Sequence, residues 1–449
     1  MNDTLAPLGL GTEKVGKLLM QYAIPAIVAM TASSLYNITD SIFIGHGVGP
    51  LALSGLAITF PLMNLAAAFG SLVGVGASTV LSIRMGQKDY ETANKILGNV
   101  FVMNLIMGVG FSAATLLFLD PVLLFFGASE ATLPYAHDFM IIILAGNVVT
   151  HMYFGLNALL RSAGSPQKAM MATIYTVLIN LVLNPLFIFV FGWGIRGSAF
   201  ATIISQVAVL CWQMNLFNNR RFFIHWQKGI YRLSRRIVLD SLSIGMAPFL
   251  MNAASCLIVI IINRQLLVHG NDLAVGAYGI VNRVAFLFVM IVIGLNQGMQ
   301  PIAGYNYGAM LHGRVREVLR KSIFYATLIM LAGFGVVELF PRAVASVFTT
   351  EEQLVEIAVP GLRWVFAVYP LVGFQMVSSA FFQSIGKAHK SIILAMTRQM
   401  LFLVPILLIL PNYMGTTGVW ASMTISDFIS VLLATFLLYN ELKTSKHGK

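Results

Sequence analysis

The sequence predicts an all-α polytopic membrane protein with twelve transmembrane helices in two six-helix bundles related by a pseudo-twofold axis. Three observations predict this fold class: a very apolar composition, twelve long apolar runs, and an internal repeat at a spacing of about 222 residues. Of the 449 residues, 58% are hydrophobic and only 10% are charged, with a mean hydropathy of +0.82. A soluble protein of this size could not cover its surface with so few charges.

Each apolar run is long enough to cross a hydrocarbon core of roughly 30 Å as a helix. The runs lie near 19–43, 52–83, 95–119, 134–162, 168–191, 196–217, 240–268, 275–306, 318–340, 356–383, 389–411 and 417–440. The second and eighth runs exceed the length of one span. We therefore expect tilted helices that protrude from the bilayer.

Basic residues lie mostly in alternate connections between the runs, which predicts the orientation of the chain. One side has Lys14, Lys17, Arg84, Lys88, Lys95, Arg161, Lys168, Arg220, Arg221, Lys228, Arg232, Arg235, Arg236, Arg314, Arg316, Arg320, Lys321, Lys387, Lys390, Lys443, Lys446 and Lys449. The opposite side has only Arg196 and Arg342. Both termini are thus predicted to be cytoplasmic, in the plasma membrane, which is the inner membrane of a cell that has two. The placement of basic residues on the cytoplasmic side, next to anionic lipid, then explains the net charge of +11. We therefore expect no nucleic-acid partner.

The repeat divides the chain into two lobes. Pro25 and the segment 40–47 match Pro248 and the segment 263–270, and similar matches continue in order to the end of the chain. We predict an N-terminal lobe at 1–217, a basic cytoplasmic linker at 218–239 and a C-terminal lobe at 240–449. Because six helices return the chain to the same side, both lobes enter the membrane in the same direction, which puts the pseudo-twofold axis along the membrane normal.

Asp40 is a carboxylate late in the first apolar run, where a charge is costly and usually functional. Three predicted helices place polar side chains at a similar depth of the outer half. The residues are Asn37 and Asp40 in the first helix, Thr176, Asn180 and Asn184 in the fifth, and Ser198, Thr202 and Gln206 in the sixth. Their spacing of three or four residues puts each set on one helix face. Pro185 is expected to bend the fifth helix.

Together with the two-lobe pattern, several short motifs resemble the multidrug and toxic compound extrusion (MATE) family over essentially the full chain. They are Asn37–Asp40, the glycines Gly76 and Gly86, the segment Arg161–Gly164, and the pair Gln300–Pro301. The resemblance implies a cation-coupled antiporter that exports amphipathic, often cationic drugs by alternating access and so contributes to antibiotic resistance. It implies no cofactor beyond H⁺ or Na⁺ as coupling ion.

The resemblance also implies that Asp40 is the ion-coupling carboxylate, with Asn180 and Thr202 as partners. Asn37 and Asn184 complete the candidate ion-coupling site. Many relatives have Asp at the position of Asn184, so this site has a single formal negative charge. A lone buried acid suits proton exchange because burial favours its neutral form. Sodium stays open as an alternative, bound at Asp40, Asn180 and Thr202.

The C-terminal half differs in charge. Asn263 stands where the repeat would place Asp40, and Arg398 stands where it would place Thr176. Asp427 corresponds to Gln206, and Arg398 is its expected partner, either as a structural ion pair or in substrate or ion binding. Methionine-rich surfaces adapt to varied ligands. The candidate substrate cavity comprises Tyr36, Gln206, Met251, Asn263, Met290, Arg398 and Asp427, with Phe154 and Met376 as further candidates.

Other functional classes fit less well. No nucleophile, base and orienting group can be combined from the sequence, so an enzyme is disfavoured. A channel would need repeated charged rings or a filter motif. The alternative that we retain is a flippase for a lipid-linked precursor, which needs many cations in its cleft, whereas the cations in or near spans are Arg264, Arg283, Arg363 and Arg398. The expected partners are small-molecule drugs and the lipid bilayer, and we expect a monomer.

Overall fold

A computed structural model describes residues 9–220 and 222–447, with side chains given up to residue 443. Within these ranges the chain is helical and contains no strand, which confirms the predicted fold class. Of the basic residues used to predict orientation, Arg221 and Lys449 lie outside the described residues, as does the side chain of Lys446. The first eight residues of the predicted N-terminal lobe lie outside them as well.

Twelve spans follow each other, of which ten are single helices or continuous helical stretches and two are bent pairs. They are α1 (Val15–Gly47), α2 (Pro50–Gly86), α3 (Tyr90–Leu117), α4 (Leu133–Ala145 with Asn147–Ser162), α5 (Pro166–Val190), α6 (Gly194–Asn218), α7 (Arg235–His269), α8 (Asp272–Gly308), α9 (His312–Leu339), α10 (Glu352–Phe366 with Tyr369–Ser384), α11 (Ala388–Met414) and α12 (Thr416–His447). Short helices at Gly9–Thr12, Leu119–Phe125 and Pro341–Ser346 lie between or before the spans.

Glycine and proline explain where several spans break or bend. The α4 pair bends by 55° at Gly146, and the α10 pair bends by 51° just before Pro370. In α5, a π-helical turn at Leu186–Val190 directly follows Pro185. Proline lacks the N–H that would continue the regular ladder, so the expected distortion of this helix takes the form of a widened turn.

The two six-helix halves meet along α1, α2, α7 and α8. Helix α1 packs against α8, and α2 packs against α7. Close backbone approach requires glycine at this interface: a Cβ atom at Gly76 would lie 1.8 Å from the Ser241 carbonyl oxygen, and one at Gly245 would lie 1.8 Å from that of Leu72. Side chains could not be inserted here without separating the halves.

The halves are joined at one end of the bundle. We name the end that holds Val15 and Gly86 the closed end, and the opposite end, which holds Gly47 and Pro50, the open end. In the described part of the chain, the hydrogen bonds between halves reach no further toward the open end than Met30–Gln297 and Pro61–Cys256. The open-end part of the interface, which we call the cleft, therefore has no recorded hydrogen bond between the halves among the described residues.

The segment between α6 and α7 is fixed to the closed end of α3. Asn99 Nδ2 donates to the carbonyl oxygens of Ile230, at 3.3 Å, and Arg232, at 3.1 Å, while its Oδ1 accepts from the Ser234 N–H at 2.8 Å. Trp226 and Tyr231 stack with their ring centroids 6.1 Å apart. The connection between the halves is consequently an ordered part of the N-terminal half.

Candidate functional site

Asp40 lies in the open-end half of α1 and joins three helices. It is buried, with 8% of its surface exposed. Its Oδ1 accepts a hydrogen bond from Asn184 Nδ2 of α5 and another from Ser198 Oγ of α6, the latter at 2.5 Å. Bonds to an ionised carboxylate are stronger than bonds between neutral groups. Asp40 thus ties α1 to both α5 and α6.

A second hydrogen-bonded group lies one helical turn closer to the closed end. Tyr36, one turn before Asp40, places its hydroxyl 2.7 Å from Thr202 Oγ1. The same Thr202 oxygen accepts from Asn180 Nδ2 at 3.4 Å. Asn180 is almost fully buried. The two groups lie on adjacent helical turns, and together we call them the polar layer of the N-terminal half, built from α1, α5 and α6.

The structure brings most of the predicted residues of this site together. Asp40, Asn180, Asn184 and Thr202 all lie in the polar layer, and its recorded hydrogen bonds involve no second carboxylate. Asn37 does not join it: its side chain is exposed, and its carbonyl oxygen accepts from Ser41 Oγ at 2.9 Å. The α-helical turn that buries Asp40 points position 37 away from α5 and α6.

Ser198 is a direct partner of Asp40 that the sequence-based site omits. The sequence pattern did indicate Ser198 as a candidate, since Ser198, Thr202 and Gln206 share one face of α6. Gln206, predicted to line the cavity, is buried, and its Oε1 accepts from Thr150 Oγ1 of α4 at 2.6 Å. Asn184 retains one buried acceptor, Oδ1, without a hydrogen-bond partner. The site therefore holds, beside the Asp40 carboxylate, an amide oxygen that is able to accept a further hydrogen bond.

In the C-terminal half, Arg398 and Asp427 form an ion pair between α11 and α12. Arg398 Nε donates to Asp427 Oδ1 at 2.7 Å, with 26% and 15% of the two side chains exposed. Ser426 Oγ donates to the Arg398 carbonyl oxygen at 2.6 Å, within the π-helical turn Thr397–Leu403. Asn263, the counterpart of Asp40, is half-buried and has an unpartnered Oδ1.

The apolar cavity candidates differ in exposure. Met251 and Phe154 are exposed, by 36% and 46%, and Met290 is half-buried. Phe154 makes an edge contact with Tyr153 at 5.2 Å between ring centroids. Met376 packs against the large core cluster of the molecule, which favours a structural role for it. No group of three or more histidine, cysteine, aspartate or glutamate side chains with metal-binding geometry occurs among the described residues.

The sequence model of the family described as MatE matches residues 25–186 and 243–409, which include most of both halves. The chain belongs to the MatE family. It resembles the multidrug export protein MepA of Staphylococcus haemolyticus strain JCSC1435, with 26% identity over 424 residues that cover 94% of this chain and 93% of the relative. MepA of Staphylococcus aureus strain NCTC 8325 / PS 47 is also 26% identical, with 95% and 94% covered.

Solved MATE structures have the same fold. A multidrug resistance MATE transporter of the MOP superfamily in its outward-facing conformation superposes with a TM-score of 0.93 at 26% identity and covers 100% of both chains. MATE in the bent conformation gives 0.92 at 25% identity, with 98% of both chains covered. This MatE chain is therefore a multi-pass membrane transporter, and the prediction that it is not an enzyme is confirmed.

The alternative of a flippase is not favoured. The two relatives are named as multidrug exporters. Of the four cations in or near spans, Arg398 is paired with Asp427, and Arg363 Nε lies 3.8 Å from Glu338 Oε2. Arg264 and Arg283 are exposed. These four arginines therefore do not form a cluster of unpaired cations that could hold a pyrophosphate.

Proposed function

We propose that this MatE transporter is a cation-coupled antiporter that exports amphipathic, often cationic drugs, with H⁺ as the coupling ion and Asp40 as the residue that binds it. The names of the MepA relatives support the substrate class. The basic residues of the closed end support a cytoplasmic position for both termini, in the plasma membrane. Such export would contribute to antibiotic resistance, and each single chain would act as a monomer.

The observation that carries the proposal is the bonding of Asp40. An ionised carboxylate is an acceptor only, and here it accepts from Asn184 and Ser198. Protonation removes the charge that strengthens both bonds and turns one carboxyl oxygen into a donor. The open-end half of α1 is then held less firmly against α5 and α6. Proton binding from the open end would thus move α1 in the wall of the cleft and release the drug.

The donors around Asp40 favour a proton over sodium. Asn184 presents its N–H and Ser198 its O–H to the carboxylate, and Thr202 accepts an N–H from Asn180. A sodium ion needs several oxygen lone pairs turned toward it. Asn184 and Asn180 turn their N–H groups toward the oxygens of Asp40 and Thr202, so sodium binding at these oxygens would require the amides to rotate. A proton needs no such rearrangement.

The interface between the halves supports alternating access. With cytoplasmic termini, the closed end would face the cytoplasm, and the chain is similar to a transporter solved in its outward-facing conformation. Opening to the cytoplasm must break contacts at the closed end. These include Arg314 Nη2 to the Glu13 carbonyl oxygen at 2.6 Å, Gln300 Nε2 to Thr79 Oγ1 at 2.6 Å, and Arg84 to Asp240 at 3.8 Å. These three contacts are hydrogen bonds and an ion pair, which can break and re-form.

The test is efflux of a fluorescent cationic dye from proteoliposomes under imposed proton or sodium gradients, with wild type beside Asp40→Asn. Asp138→Asn is the matched control, because Asp138 lies at the open end but pairs with Arg196 on the surface. We expect proton-driven efflux by wild type and by the control, and none by Asp40→Asn. Undiminished gradient-driven efflux by Asp40→Asn would remove Asp40 from the mechanism, and efflux driven by sodium alone would replace the proton.

A further inference from the structure

We propose that the interior of the N-terminal half, between α4, α5 and α6, contains a water-filled path along which the proton leaves Asp40 toward Arg161 at the closed end, with Gln213 holding water in it. The proposal rests on the proposed function, because it takes Asp40 as the proton-binding residue. It adds an exit route within one half, separate from the cleft between the halves.

A row of polar side chains runs along one face of α5. Beyond Asn184 and Asn180 it continues with Thr176 and Thr173, at intervals of three or four residues. From Asn184 to Thr173 the row is roughly 16 Å long at the rise of an α-helix. A membrane helix that faced only lipid or apolar core would have no reason to repeat such groups at this spacing. The row connects the depth of Asp40 with the closed end.

The closed-end part of the row is hydrogen-bonded to α4. Tyr153, which is buried, places its hydroxyl 3.5 Å from Thr173 Oγ1. Asn157 Nδ2 donates to the same Thr173 oxygen at 3.4 Å, and Asn157 Oδ1 accepts from Arg161 Nη1 at 2.9 Å. Arg161 is half-buried in the last turn of α4. Hydroxyl and amide groups thus lead from the middle of the half to a charged side chain near its surface.

A second connection runs through α6. Thr150 Oγ1 donates to Gln206 Oε1 at 2.6 Å. Gln206 is one turn beyond Thr202 on α6, and Thr150 is one turn before Tyr153 on α4, so the pair bridges the polar layer at Asp40 and the group at Tyr153. Polar groups from at least one of α4, α5 and α6 therefore lie at each depth between Asp40 and Arg161.

Gln213 is the observation that points to water. It is fully buried, and both its Nε2 and its Oε1 lack a hydrogen-bond partner. The register of the parallel helices α4 and α6, set by Thr150 and Gln206, places Gln213 level with Asn157. The antiparallel register of α5 and α6, set by Asn180 and Thr202, places it level with Ala169. A buried amide without partners is costly, and ordered water is its usual partner.

Three of the corresponding positions of the C-terminal half are apolar, while Arg398 and Asp427 stand at those of Thr176 and Gln206. Where the N-terminal half has Asn180 and Asn184, the repeat places Phe402 and Ile406, and the counterpart of Gln213 is Ala434. The C-terminal half also has Asn263 in place of Asp40. Asp40, Asn180, Asn184 and Gln213 are therefore all replaced in the C-terminal half, the last three by apolar residues.

The path is interrupted in this conformation. The recorded bonds of the polar layer end at Thr202 and Asn180, and those of the next group begin at Gln206 and Thr176, one helical turn away. Hydroxyl groups and water carry the proton: each takes one proton and releases another, so no charge is left behind, while the amides and Arg161 hold that water in place. The breaks between the hydrogen-bonded groups prevent proton leakage while Asp40 is open to the outside, and water that closed them would release the proton to the cytoplasm.

The experiment uses the full-length protein in proteoliposomes with a pH-sensitive dye inside, which reports proton flux coupled to drug transport. Gln213→Leu is the decisive variant because the two explanations predict opposite results. If the unpaired amide of Gln213 held no water, replacing it by leucine would stabilise the protein. The melting temperature would then rise and transport would be unchanged. We expect instead that proton flux and drug transport both become about tenfold slower, which corresponds to a rise of about 1.4 kcal/mol in the activation barrier. The Kd for the transported cationic dye should be unchanged.

Tyr153→Phe tests the same path at another point, and Gln375→Leu, its repeat counterpart, is the matched control. Gln375 is buried and donates to the Leu394 carbonyl oxygen at 3.2 Å in the C-terminal half. We expect slower proton flux for Tyr153→Phe and wild-type flux for folded Gln375→Leu. Wild-type proton flux in both Gln213→Leu and Tyr153→Phe would overturn the path. If Asp40→Asn is inactive in the same assay, the proposed function would still stand.

Discussion

Ser198 Oγ lies 2.5 Å from Asp40 Oδ1 and shares that oxygen with Asn184 Nδ2. Two helices therefore converge on one atom of a third helix. The carboxylate is stabilised from one side, while Asn184 keeps an unpartnered acceptor next to it. Loss of the charge on Asp40 would weaken both contacts at once, so in the proposed mechanism protonation of Asp40 would also alter helix packing.

Replacing Ser198 by alanine should shift the pH dependence of transport upward. The serine hydroxyl stabilises the ionised carboxylate, and without it protonation persists to higher pH. A hydrogen bond to a charged group contributes roughly 1.5–3 kcal/mol, so the pH of half-maximal transport should rise by about one unit or more. Dye efflux measured across a pH series checks this. Ser205→Ala is the control, since Ser205 Oγ donates to the Thr202 carbonyl oxygen; an equal shift in both variants would contradict the assignment.

Replacing Asn184 by aspartate should introduce a response to sodium. The new carboxylate at position 184 would lie directly beside that of Asp40. The two repel each other when both are ionised, and a bound cation relieves that repulsion. The second acid also replaces the N–H donor of Asn184 by a carboxylate oxygen that can bind sodium. We expect dye efflux driven by a sodium gradient at constant pH in Asn184→Asp. Asn263→Asp, the same change at the counterpart of Asp40 in the other half, should not gain it, and a sodium response in that variant alone would refute the prediction.

The Arg398–Asp427 pair should behave as a structural contact between α11 and α12. Removing one charge leaves the other unpaired in a partly exposed site, at a cost of about 1–3 kcal/mol. Arg398→Gln and Asp427→Asn should each lower the melting temperature in detergent. The double variant should recover most of that loss because no unpaired charge remains, and it should transport the cationic dye. A stable double variant that has lost dye binding would instead assign the pair to the substrate site.

The sequence allowed the twelve spans and the depth of the Asp40 site to be predicted because both depend on local patterns. Apolar run length determines where a helix can span, and spacing of three or four residues determines which side chains share a face. Whether Asn37 or Ser198 would meet Asp40 depended on how α1 is rotated against α5 and α6, and this rotation is a property of packing. The unpartnered amide of Gln213 could not be predicted either, since burial of a single glutamine depends on all the helices around it.

The glycine contacts between α2 and α7 should control whether the closed end can form. A Cβ atom at Gly76 would lie 1.8 Å from the Ser241 carbonyl oxygen, a distance that only separation of the helices can relieve. Gly76→Ala should therefore destabilise the closed end by about 3 kcal/mol and slow dye efflux. Cysteines introduced at Thr79 and Ser241 should become more accessible to a thiol reagent added from the cytoplasmic side. Gly110→Ala, where no atom lies within 4 Å of the added methyl, should leave transport and accessibility unchanged. Unchanged labelling in Gly76→Ala would show that the halves are not held together by this backbone contact.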